Sequence, residues 1–62
     1  MKKGDRVKTK VALPWAHVRK GDSGRVETIT DLGLVLVRFD KRAKENPNTM
    51  FPFDLQLIAP IG

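Results

Sequence analysis

The chain has no cysteine and no tyrosine, and only one tryptophan and one histidine among its 62 residues. Without cysteine there is no disulfide framework and no thiolate metal site. That absence fits a reducing compartment, so a cytoplasmic protein is the expectation. No apolar run approaches the roughly 18 residues of a membrane span, and no signal-peptide pattern opens the chain. A lone histidine with scattered acids has no metal-ligand spacing, so neither metal nor cofactor is expected. The candidate nucleophiles are Ser23 in a turn and several threonines, and no motif sets His17 and an acid behind them. No catalytic residue is expected, and the chain is read as a non-enzyme.

Positive charge is what the chain has in excess: 12 Lys and Arg stand against 7 Asp and Glu, a net of +5. On so small a body this favours acidic partners: nucleic acid, anionic lipid or an acidic protein. A net charge of about 2–8 also serves solubility alone. One domain over residues 1–62 is expected, as a monomer or weak homo-oligomer. A core of this size rarely supplies more than about 3–5 kcal/mol.

The pattern is that of short strands. Arg6 to Val11 alternates strictly, with Val7, Thr9 and Val11 on one face and Arg6, Lys8 and Lys10 on the other. A second strand is predicted over Arg25 to Thr30. Val26 and Ile29 are three apart, so both enter the core only across a bulge or bend. Asp31-Leu32-Gly33 is the next turn, followed by the most hydrophobic strand, Leu34 to Asp40. Lys41 to Met50 reads as an exposed loop with a turn at Asn46-Pro47-Asn48. Phe51 to Asp54 reads as a helical turn before a short last strand, because Pro52 cannot donate to a ladder. No window carries helical periodicity. The fold class is therefore all-β: four to five short antiparallel strands curled into a small barrel, without a true α-helix. The expected core is Val7, Val11, Val18, Val26, Ile29, Val35, Val37, Phe39, Phe53, Leu55 and Ile58.

Gly4-Asp5-Arg6-Val7, Gly21-x-x-Gly24-x-Val26, Val37-Arg38-Phe39-Asp40 and Phe53-Asp54-Leu55-x-Leu57-Ile58, in that order, resemble an SH3-like barrel over nearly the whole chain. Trp15, Gly24-x-Val26, Val37-Arg38-Phe39-Asp40-Lys41 and Asn48-Thr49 ahead of Phe51 and Asp54 carry a closer resemblance. They are similar to the ferredoxin-docking small subunit of photosystem I and the variable chain of ferredoxin–thioredoxin reductase. The chain departs from that subunit at Leu32-Gly33-Leu34, where an aromatic–proline step is usual. Lys20-Gly21-Asp22-x-Gly24-x-Val26 resembles KOW-type modules, although Leu13-Pro14-Trp15-Ala16-His17 stands where a basic, glycine-rich approach is normal. The first resemblance implies an accessory subunit that docks an acidic protein in an electron-transfer or other multi-subunit complex. The second implies a nucleic-acid-binding module. Binding of proline-rich peptides needs an aromatic-lined groove, which a chain with no tyrosine and one tryptophan does not supply.

KGDSGRVETI (residues 20–29) is not a phosphate loop, because no Lys follows Gly24 and a strand follows in place of a helix. Gly21 and Gly24 read as turn residues. Trp15 has two readings. By burial habit it caps one open end of the barrel. Functionally it is an interface anchor, rimmed by Arg19 and Lys20. Arg38, Lys41, Arg42 and Lys44 complete the expected partner-binding set, with Arg6, Lys8 and Lys10 as a further basic face. Nucleic acid is the alternative partner, disfavoured because the phenylalanines look committed to the core and leave few rings for stacking. Leu34 and Leu36 are candidates for self-association.

Overall fold

The computed structural model describes residues 1–42 and 44–58. Five strands run β1 (Arg6–Thr9), β2 (Ser23–Ile29), β3 (Val35–Phe39), β4 (Asn48–Met50) and β5 (Leu55–Leu57). Three 3₁₀ turns join them: η1 (Pro14–Ala16), η2 (Asp40–Arg42) and η3 (Pro52–Asp54). All pairings are antiparallel, in one sheet ordered β4-β3-β2-β1-β5. Among the described residues there is no α-helix, so the fold is all-β as the sequence implies. Among the described residues no second layer covers the sheet, and ten apolar residues are nevertheless buried. Only curling the sheet around them can achieve that.

The bend lies where the spacing of Val26 and Ile29 places it. Val26 pairs with Val37 and Thr28 with Leu36, so Glu27 is one residue too many on β2. This bulge returns Ile29, opposite Val35, to the inner face. As the last residue of β2, however, Ile29 is still exposed. Phe53 and Ile58 are also exposed and leave the expected core, one in η3 and one just past the end of β5. Val11 packs only partly buried against the core, while Leu13, Ala16 and Met50 join it. Leu34 and Leu36 are half-buried.

The segment read as an exposed loop instead begins with η2 and ends as β4. Asn48 and Met50 have no strand pattern of their own. They become a strand because Val37 and Val35 pair with them.

Lys-Gly-Asp occurs twice and folds twice in the same way. Asp5 and Asp22 each donate a backbone N–H to the carbonyl three residues earlier, Lys2 (3.1 Å) and Arg19 (3.0 Å). Each aspartate carboxylate accepts the N–H of that same residue, both at 2.8 Å. Gly4 (φ 89°) and Gly21 (φ 91°) supply the left-handed third position such turns require. Gly24 does not turn the chain, contrary to expectation. It is buried within β2, where a Cβ would lie 2.6 Å from the Arg38 carbonyl oxygen and 2.9 Å from the Phe39 Cα. Its role is close backbone approach.

Candidate binding surface

Thr9, buried at the end of β1, both donates to and accepts from the backbone of Val11 through its Oγ1 (2.7 and 3.1 Å). This fixes the start of the first long loop. Leu13 and Val18 then bridge, with N–H···O distances of 2.8 and 3.1 Å, and Ala16 donates to the Leu13 carbonyl at 2.9 Å. Leu13, Ala16 and Val18 point into the core. Pro14 opens η1, and His17 ends it in the left-handed conformation (φ 55°). The residues between the three anchors are therefore turned outward, and Trp15 is 78% exposed. The capping role expected for Trp15 is overturned. The loop fills the barrel end with smaller side chains and holds the indole in water.

The fold brings this loop against η2. Arg42 donates through Nη1 to the carbonyl of Ala16, and Lys41 Nζ lies 2.6 Å from an Asp22 carboxylate oxygen. An open groove of about 530 Å³ results, lined by Pro14, His17, Arg19, Asp22 and Lys41 among others. A second, of about 350 Å³, lies among His17, Lys41, Arg42 and Glu45. His17 and Lys41 line both. Of the expected partner-binding residues, Arg19, Lys41 and Arg42 thus meet beside the turn that carries Trp15. Lys20 and Lys44 are exposed. The sequence offers His17 only as a catalytic or metal group, whereas the fold sets it in the groove wall. Its signal is its position two residues after Trp15 in a loop that must reverse direction.

Arg38 stands elsewhere, on β3. Its Nε donates to Glu27 at 2.6 Å, and Nη1 donates to the Glu45 carbonyl. Arg6 grips Asp40 with both Nη atoms, at 2.8 and 2.6 Å, and Ser23 Oγ donates to the same carboxylate at 3.1 Å. Arg42 pairs with Glu45. These ion pairs are partly exposed, so solvent screens them and they add little to stability. They matter more for where charge remains. Lys8, Lys10, Arg19, Lys20, Arg25 and Lys44 make no ion pair with the described residues. Asp22 and Asp40 form a seam where the β1 face and the loop–η2 cluster adjoin. Lys41, hydrogen-bonded to Asp22, and Arg6, hydrogen-bonded to Asp40, hold both carboxyls below their ordinary range.

The aromatic residues are the largest correction. Phe39 is buried, but Phe51 and Phe53 are 53% and 71% exposed. Their rings stack on each other at 5.1 Å and 10°. The shortage of exposed rings that counted against nucleic acid is not there. Among the described residues no group of three His, Asp or Glu side chains could hold a metal ion, and no helix is long and apolar enough to cross a membrane. Set against known protein families, curated proteins and solved structures, the chain matches none of them.

Proposed function

We propose that this chain is a non-enzymatic docking module whose Trp15 anchors an acidic protein surface. The observation that carries the reading is the 78% exposure of Trp15 on a backbone held by three buried neighbours. A buried aromatic removes about 150–250 Å² from water, which is about 4–6 kcal/mol at about 25 cal/mol per Å². Folding leaves most of that unrealised at Trp15. A partner can realise it at low entropic cost, because the loop beneath is already ordered. Arg19, Lys20, Lys41, Arg42 and Lys44 supply positive charge around the anchor and steer an acidic surface toward it. The resemblance to ferredoxin-docking subunits supports an acidic electron-transfer protein as the class of partner.

Trp15 is the sole tryptophan, so its emission reports on the site directly. Titration with an acidic ferredoxin at low salt is expected to shift Trp15 emission to the blue. The affinity should fall about tenfold or more with Arg19→Glu and Lys20→Glu together, and should weaken as salt rises. No emission change at low salt, or binding indifferent to these charges, contradicts the reading.

A further inference from the structure

We propose a second site, distinct from Trp15, in which the Phe51–Phe53 pair and the outer face of β1 bind single-stranded nucleic acid. The two rings lie nearly parallel and in contact, and both keep about half or more of their surface in water. Pro52 between them is exposed as well, so η3 presents a flat apolar platform rather than one stray side chain. Successive bases stack on such platforms whatever their sequence, because every base has a π-face.

Positive charge leads to this platform along β1. Lys10 donates its backbone N–H to the Asp54 carbonyl at 2.8 Å, which joins the end of β1 to η3. One pleat earlier, Lys8 stands between Gln56 of β5 and Ser23 of β2. Next to that row Arg6 faces Arg25. Lys8, Lys10 and Arg25 are exposed and make no ion pair with the described residues. The acids beside this track are engaged or half-buried: Asp40 is taken by Arg6 and Ser23, Asp22 by Lys41, Asp5 accepts the Lys2 N–H, and Asp54 is half-buried in η3. A line of exposed cations ending at stacked rings fits a phosphate backbone with unpaired bases. A duplex hides its base faces and offers the platform nothing to stack on.

Fluorescence anisotropy with an end-labelled single-stranded oligonucleotide, against a duplex of the same sequence, tests this. Single strands are expected to bind at least about tenfold tighter than duplex, with affinity falling linearly in log–log with salt from about 50 to about 200 mM. Phe51→Ala and Phe53→Ala are each expected to weaken binding about 5- to 100-fold, as removal of a stacking ring does. Lys8→Gln with Lys10→Gln should flatten the salt slope. Leu32→Ala, an apolar change at a still more exposed position in the β2–β3 turn, should leave binding unaltered. All five positions are exposed, and circular dichroism confirms that each variant is folded. No binding at about 50 mM salt, equal binding of duplex, or indifference to both phenylalanine substitutions overturns the proposal. Loss of binding with Trp15→Ala but not with the phenylalanine variants also overturns it, and would place the nucleic acid at the docking groove. Because docking is read through Trp15 and this site through Phe51 and Phe53, either can fail while the other stands.

Discussion

Two short turns, Pro14-Trp15-Ala16 and Pro52-Phe53-Asp54, are built alike and lie in different settings. In each, proline opens a single 3₁₀ turn, an aromatic follows, and the residue after the turn donates its N–H back to the proline carbonyl. In each the aromatic is turned into water. They differ at that closing residue. His17 is exposed and left-handed, and it sends the chain back toward Val18. Leu55 is extended and buried, and it begins β5. The comparison shows that the place of an aromatic in a proline-opened turn decides its exposure, whatever its size. The core draws most of its volume from strand positions, four of them valines, with Phe39 as its one ring among the described residues.

The strongest test of that contrast sets Phe39 against the turn aromatics. Phe39→Ala should cost about 3–5 kcal/mol, comparable to all the stability such a core supplies, so the variant should be unfolded by circular dichroism. Trp15→Ala and Phe53→Ala should stay within about 0.5 kcal/mol of the parent in urea melts. A large loss from either would mean that its ring belongs to the core.

The two closing residues should respond with opposite sign. Leu55→Ala should destabilise by about 2–5 kcal/mol, since it empties a core position. His17→Gly should stabilise by up to about 1 kcal/mol, because the left-handed conformation costs a side-chain-bearing residue about 1–2 kcal/mol and glycine recovers part of that. Chemical denaturation of the two variants checks the pair together.

What the sequence made legible follows the same division. Strict alternation placed β1, the three-residue spacing of Val26 and Ile29 placed the bulge, and Pro52 placed η3. Those signals are local. β4 escaped because Asn48 and Met50 are a strand only by virtue of their partners on β3. Ring size suggests burial for Phe51 and Phe53, but the turn at Pro52 lies outside the sheet and leaves both exposed. At the surface, Trp15, Arg19, Lys41 and Arg42 were named from composition and loop position. That Arg42 reaches Ala16, and that Arg38 turns to Glu27 and Glu45, depends on contacts between distant segments that no local pattern encodes.

The smallest effect concerns the seam between the loop and η2. The Asp22 and Asp40 carboxyls are held below their unfolded range by Lys41 and Arg6. Their contribution is thus fully present above the unfolded carboxylate range, near pH 4. It is lost as pH falls through their lower folded values. Thermal melts should therefore be level from about pH 8 to about pH 5 and decline below about pH 4, less steeply in Asp40→Asn. An equal decline in that variant would remove Asp40 from the seam.

The central claim is that folding leaves Trp15 in water on an ordered turn, and quenching of its fluorescence by acrylamide in the native state tests it most directly. The account predicts quenching nearly as efficient as in the urea-unfolded chain, with emission little shifted between the two. A blue-shifted native emission resistant to acrylamide would put the indole inside the barrel and contradict it.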